Sequence, residues 1–466
     1  MRSVEVLAPV GQEPRASEIW ACQELREAQL GDERLALRLA RIVATLAEHP
    51  ACSVPEAMEN WAATKAAYRF FANPACQPEA ILAAHRQATL QRIAGRDLIL
   101  LPQDTTQFDF STHHNLRGVG PTGAPGLQGF FMHSALAVAA DGIPLGLLGC
   151  HTWKRRDADD PRSQDPDVQA EPKESQRWLD MLRASTAGID PATTVVTIAD
   201  READFYDFLR LAVAERQLVL VRAAHDRALA TESARLWQSV QQAPQLGPLL
   251  PVRIPRGDER PERVGHFALR MRPVALRPPA QHRQDGPLPV TAILAQEVDA
   301  PADQEPVAWL LLTTLPVATF EHAAQCLRWY TFRWRIERLH FTLKSGCRIE
   351  KLQLETAFRL RCALAVYCLV AWRLLHLTYV ARELPEQPCT LFLTDPEWKA
   401  LYARIHRTRL VPAEPPEVRT AVRWIAQLGG FLGRKRDGEP GVKVLWRGFR
   451  ILQVVVEDWR IFNPDP

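Results

Sequence analysis

Three acidic residues stand out by type and setting: Asp104, Asp200 and Glu337. Asp104 follows the apolar run Leu98-Ile99-Leu100-Leu101, and Asp200 closes the run from Thr193 to Ala199. Both runs have the length and composition of buried strands, so each Asp is expected at a strand end. Glu337 lies in a stretch dense with bases, namely Arg328, Arg333, Arg335, Arg338 and Lys344. Acids at strand ends of an α/β sheet can converge on its functional edge. Carboxylate oxygens gathered there suit Mg2+ or Mn2+, and two such ions support in-line displacement at phosphorus. Taken singly, each acid has a plainer reading. An Asp after a strand is usually a turn or helix cap, and a Glu beside Arg on a helix is usually a surface pair worth little.

The bases have a pattern of their own. Residues 330–344 read Y-x2-R-x3-E-x6-K. On one continuous helix, Tyr330, Arg333, Glu337 and Lys344 are offset by 3, 4 and 7 and share a face. The planar guanidinium of Arg binds two phosphate oxygens at once. A solvated basic helix face is the bland alternative.

The elements that must position these residues follow from periodicity. Residues 19–95 read as helical. Asp32 caps a helix with apolar Leu35, Leu39, Ile42, Val43 and Leu46, and Arg34, Arg38 and Arg41 run beside that stripe. A second helix is expected from about Pro55 to Ala72. The period changes at residue 97. Phe130 to Ala139, Asp141-Gly142 and Ile143 to Trp153 read as a hairpin. Residues 154–175 are polar and Asp- and Pro-rich, and are expected to form a mobile loop. A helix from about Glu202 and a strand from Leu218 to Arg222 come next. Residues 225–305 alternate short strand-like pieces with turns and read as a β-rich insertion. Trp309 to Thr313 resumes the core. One long helix is expected from about Phe320 to Lys344, another from about Thr356 to Glu383, and a last one after Gly441. The fold class is therefore α/β, with a core at 96–385 holding the insertion, a helical N-terminal domain at 1–95 and a helical C-terminal domain at 386–466.

Bulk properties exclude several classes. The chain has 466 residues, about three domains at ordinary size. Its net charge of +3 does not by itself announce a polyanion partner. Nine cysteines without a C-x-x-C pair argue against a disulfide scaffold and a zinc ribbon. No apolar signal segment is visible at the N-terminus, and a reducing cytoplasm is expected. The most apolar stretch, Cys362 to Trp372, is too short to span a bilayer and is expected to be a buried helix.

Longer strings narrow the reading. Residues 103–106 are Q-D-T-T, 200–204 are D-R-E-A-D, and 330–344 are Y-T-F-R-W-R-I-E-R-L-H-F-T-L-K. Before them come Gly31-Asp32 with the Arg helix and A-A-Y-R-F-F-A-N-P (66–74); after them comes L-G-G-F-L-G-R-K-R (428–436). In this order the chain resembles the DDE transposases of the insertion-sequence-four family, especially the transposon-five branch. The resemblance implies a ribonuclease-H-like catalytic core interrupted by a β insertion. It implies that Asp104, Asp200 and Glu337 bind two Mg2+ ions, with Mn2+ as a substitute. It also implies end nicking, a hairpin step and joining to target DNA. Tyr330, Arg333 and Lys344 would contact phosphates near the cleaved end. Trp309 and Trp334 match positions that hold a flipped base, although Trp309, inside W-L-L-L-T, reads on its own as core. Arg34, Arg38 and Arg69 match residues that bind the terminal inverted repeat, and Arg222 is expected to face DNA. The implied partners are double-stranded DNA, both transposon ends and target, and a second copy of the chain in the DNA complex. No membrane is implied, and the expected location is the nucleoid in the cytoplasm. Arg201, Glu202 and Asp204 are expected to cap or support, and His133 to be a satisfied core histidine. Two other readings stay open: a catalytically inactive DNA-binding inhibitor and a structure-selective nuclease. Mg2+-dependent nicking separates the first, and strand-transfer products the second.

Overall fold

A computed structural model describes residues 13–58, 60–123, 125–155, 173–254, 263–434 and 437–463. The segment expected to be a mobile loop falls mostly on 156–172, and the Lys435-Arg436 end of the last motif on 435–436; both lie outside the described residues.

The N-terminal region forms helices α1 (Ala16–Glu24), α2 (Glu33–Glu48), α3 (Val54–Ala57), α4 (Trp61–Phe71) and α5 (Pro78–Ile93). Asp32 caps α2 as expected, accepting a hydrogen bond from the Arg34 amide at 2.8 Å. Leu39, Ile42, Val43 and Leu46 are buried, while Arg34, Arg38 and Arg41 stay exposed. The single helix expected over 55–72 is two helices. The capping box of Ser53 and Glu56 starts α3, and Asn60 starts α4 afresh by accepting from the Ala63 amide at 2.9 Å.

One large mixed sheet follows. Its strands are β1 (Leu98–Asp109), β2 (Gly120–Pro121), β3 (Gln128–Ala139), β4 (Pro144–Trp153), β5 (Thr194–Ala199), β6 (Leu218–Arg222), β7 (Gln245–Ile254), β8 (Arg263–Leu276), β9 (Leu288–Glu297) and β10 (Ala308–Thr313). The order runs β2-β3-β1-β5-β6-β10-β9-β8-β7, and β4 pairs with β3. Strands β1, β3 and β4 form an antiparallel meander, whereas β5 and β6 run parallel to β1. The stretch at 225–305 expected to be a β-rich insertion holds strands β7 to β9. These continue the core sheet, with β9 antiparallel to β10.

Alternation of side chains sends neighbouring residues of each strand into two different cores. Val196, Ile198, Leu220, Trp309 and Leu311 join the larger apolar cluster. Ala199, Val219, Val221, Leu310 and Leu312 join a second cluster on the other face. There they meet α6 (Glu174–Thr186), α7 (Tyr206–Ala214) and α8 (Leu236–Gln241) through Trp178, Leu182, Phe208, Leu209, Leu236 and Val240. Each such buried Leu, Ile or Phe contributes about 1.5–3 kcal/mol.

The chain then forms α9 (Phe320–Thr331), α10 (Trp334–Phe341), a five-residue π-turn (Thr342–Gly346) and α11 (Ala357–Glu383). It ends in α12 (Asp395–His406), α13 (Val418–Leu428) and α14 (Val442–Phe462). Every residue from Cys362 to Trp372 is buried. Helix α11 is long and apolar enough to cross a membrane, but 89% of its most apolar window lies inside the protein. It packs against α2, α4, α5, β4, α13, α14 and the π-turn, and so ties both helical ends to the sheet.

The single helix expected over 320–344 is interrupted twice. The amides of Phe332, Arg333, Arg335 and Ile336 each bond three residues back instead of four, at 2.9 to 3.2 Å, which tightens the turn between α9 and α10. The π-turn then opens the spacing again before Gly346.

Candidate active site

Asp104 does not close β1. The strand runs on to Asp109, because Thr105 to Asp109 keep pairing with β3 after the parallel pairing with β5 has stopped. The last parallel pair is Gln103 with Ala199. Asp104 and Asp200 are therefore the next residues on adjacent strands, and neighbouring strands lie about 4.8 Å apart. Asp200 sits where expected, just past β5, and one of its oxygens accepts from the Glu202 amide at 2.9 Å.

Asp104 is buried, with 9% exposure, and its Oδ1 accepts from the Thr105 amide at 2.8 Å. Its carboxyl is pushed up to about 7, first by burial and then by the negative charges of Asp200 and Glu337, with Arg333 opposing. The three acids thus share one electrostatic field. Among the described residues, however, no three His, Cys, Asp or Glu side chains stand together as a ready-made metal set. Glu337 is paired with Arg333, Oε1 to Nη2 at 2.6 Å. In donor chemistry the residues fit a hard divalent cation. Repelled carboxylates, one of them held up to about 7, are what such a charge relieves.

Bases surround the acids. Arg333 is 6% exposed, its guanidinium lies 4.9 Å from the Trp334 ring, and its Nε has no hydrogen-bond partner among the described residues. Burial lowers the basicity of Arg222, which Tyr330 partly restores, with Arg201 and Arg333 facing it. Lys344 stands in the π-turn, with Nζ 5.6 Å from the centre of the Phe108 ring. Tyr330 is 2% exposed. The four residues expected to share a face of one helix lie on a broken one: Tyr330 is in α9, Arg333 at the tightened turn, Glu337 in α10 and Lys344 in the π-turn, with Tyr330 and Arg333 buried.

Trp309 falls to the core. It is 6% exposed and stacks on Phe267, with ring centroids 5.3 Å apart and planes at 13°. Trp334 is half-buried in α10, one residue from Arg333. Arg34, Arg38 and Arg69 are exposed on the N-terminal helices, and the ion pair of Arg34 with Asp32 is 3.0 Å.

Two residues escaped the sequence reading. His340 Nε2 lies 2.9 Å from Ser134 Oγ, and its Nδ1 is 3.7 Å from Asp104 Oδ2. Burial, with Lys344 and His133 nearby, pulls His340 down to about 3, so the ring is neutral. Its place three residues after Glu337 was the available signal, since such positions share a helix face. Ser134 is the cross-strand partner of Asp104, which no single sequence reveals. His133 is only half-satisfied. Its Nδ1 meets Thr105 Oγ1 at 2.9 Å, while the buried Nε2 has no partner among the described residues.

Asp204, expected as a cap or support, is a structural clamp. Fully buried, it accepts from the amides of Ala224 and His225 at 2.6 and 3.0 Å and pairs with Arg227 at 2.6 Å. Asp204→Ala leaves both amides unpaired and leaves Arg227 only the backbone oxygen of residue 204, and is expected to cost about 3–5 kcal/mol. Urea unfolding checks this; a loss below about 1 kcal/mol contradicts it.

Comparison with known families adds the two ends. Residues 17–76 match the family model described as transposase DNA-binding, and residues 369–463 match that described as transposase Tn5 dimerisation domain. At both ends the chain is similar to Tn5-type transposases. The matches support a Tn5-like transposase that binds DNA through its N-terminal helices and pairs with a second copy through its C-terminal ones. The acids lie between the two matched segments.

Proposed function

We propose that this chain is a cut-and-paste DNA transposase of the DDE type, in the insertion-sequence-four family, whose ribonuclease-H-like core works through Asp104, Asp200 and Glu337. The observation that carries the proposal is the placement of Asp104 on β1 and Asp200 just past the parallel β5, with Glu337 in the same field, between a DNA-binding match and a dimerisation match. The antiparallel meander followed by two parallel strands supports the core assignment.

Asp104, Asp200 and Glu337 would hold divalent ions, normally Mg2+, which supply charge stabilisation for in-line displacement at phosphorus. The chain's own residues do the positioning. Arg333, whose buried Nε has no partner among the described residues, and Arg222 offer guanidinium donors to phosphate oxygens. Lys344 adds a point charge. Phosphate arriving at Arg333 competes for the guanidinium that now holds Glu337, and so frees that carboxylate to turn toward Asp104. Trp334 is the better-exposed surface for an unstacked base, a contact worth about 1–3 kcal/mol. Arg34, Arg38 and Arg69 would grip the terminal repeat.

The test uses a labelled duplex taken from the DNA flanking the gene, a target plasmid and Mg2+. Nicking at the repeat boundary, a hairpin on the flanked end and then joined product are expected. Cutting without joining would make the enzyme a nuclease, and binding without cutting an inhibitor.

A further inference from the structure

Lys344 is held by a rare element. Single π-turns are rare and frequently sit at functional sites, and here the last residue is Gly346. A Cβ built on Gly346 would lie 2.7 Å from Cζ3 and 2.8 Å from Cε3 of Trp446, closer than atoms pack. Trp446 comes from α14, a hundred positions along the chain in the Tn5-like dimerisation match. It is 4% exposed, and its ring also lies 6.2 Å from that of Phe341, the last residue of α10. The missing side chain at 346 thus lets an indole press on the turn that presents Lys344. The turn is also held by two hydrogen bonds and by burial: the Cys347 amide bonds Thr342 O at 2.7 Å, Thr342 Oγ1 bonds Arg338 O at 2.7 Å, and Leu343 and Cys347 are buried in the core.

We propose that Trp446 is a positioning residue for Lys344, acting through the π-turn, so that the docking of α14 sets where the catalytic lysine stands. The proposal rests on the phosphate-binding role given to Lys344 above. Helix α14 has a second face. Ile451, Val454, Ile461 and Phe462 are 40–80% exposed on the helix whose other side buries Leu445, Trp446, Phe449 and Leu452. One rigid rod thus bears on Lys344 with one face and offers apolar surface with the other.

The experiment is single-turnover nicking of the flanking-DNA duplex by the full-length chain with Mg2+, beside hydrogen exchange over 342–347. Trp446→Ala is expected to slow nicking about ten- to a hundredfold, the scale of an ångström-size misplacement, with end binding kept. It should also speed exchange at the Cys347 amide. Gly346→Ala should act in the same direction, and Trp446→Phe should restore most of the rate. The decisive arm is the double variant: once Lys344→Ala has removed the ammonium, adding Trp446→Ala should cost little more. If the two losses multiply in full, or if exchange over 342–347 is unmoved, the inference is overturned. If Lys344→Ala alone leaves nicking unchanged, the role given to Lys344 fails instead. Should Trp446→Ala not fold, the Gly346→Ala and Lys344→Ala pair decides by the same logic.

Discussion

Asp200→Ala is expected to lower Mg2+-dependent end nicking by about a thousandfold or more while end binding stays within about threefold. The size follows from what the carboxylate would do. Removing a ligand that holds a divalent ion at the reacting phosphate removes stabilisation that exists only as charge moves in the transition state. Binding is spared because the DNA-binding match, 17–76, and the exposed Arg34, Arg38 and Arg69 lie on other elements. The substitution itself is mild for the fold. Asp200 is half-buried and caps only a three-residue 3-10 helix through the Glu202 amide, a contact worth about 1 kcal/mol. A labelled-end nicking assay beside a gel shift checks both halves. Retained cleavage would remove Asp200 from the chemistry, and joint loss of cleavage and binding would assign it to folding.

Asp104→Asn should abolish nicking and yet stabilise the metal-free protein. Burial first, and then the charges of two other carboxylates, raise Asp104 from 3.8 to about 7. Each pKa unit is worth about 1.4 kcal/mol, so the penalty is capped at roughly 4 kcal/mol, and local relaxation leaves on the order of 1–3 kcal/mol. The sign fixes the pH window. Below about pH 4 the carboxyl is protonated in folded and unfolded chains alike, and the penalty is nil. As pH rises the unfolded chain loses its proton first, so the folded wild type loses stability progressively and bears the full penalty above pH 7. Asn carries no charge and can still accept from the Thr105 amide. The stability gap between Asp104→Asn and wild type should therefore be wide at pH 8 in chelator and close toward pH 4. Mn2+ should narrow the gap at pH 8 by stabilising the wild type alone, by about 2.7 kcal/mol at a hundred times its dissociation constant. An Asn variant less stable than wild type at pH 8 without metal would contradict the shared field of the three acids.

Much of the framework was legible because it rests on local rules. Strand β6 matches its sequence range, β5 and β10 fall within one residue of theirs, and the hairpin of β3 and β4 turns at Asp141-Gly142 as expected. The Thr356 start of α11 is a cap that accepts from the Arg359 amide at 3.3 Å. What was not legible depends on tertiary contact. Strand β1 continues through Thr105 to Asp109, polar but for Phe108, because β3 supplies the hydrogen bonds, and nothing local in Q-D-T-T-Q-F-D says so. The breaks around Phe332 and after Phe341 involve no Pro, and Gly346 marks the π-turn only once Trp446 is seen beside it. Trp309 shows the reverse case: W-L-L-L-T read as core by itself, and the stacking on Phe267 agrees with that reading.

The most direct measurement is an anomalous difference map from crystals of the full-length protein with end DNA and Mn2+. Density for the metal among the carboxylates of Asp104, Asp200 and Glu337, with Glu337 released from Arg333, is the predicted result. Manganese bound elsewhere, or carboxylates that stay apart with Glu337 still on Arg333 while DNA occupies the site, would contradict it.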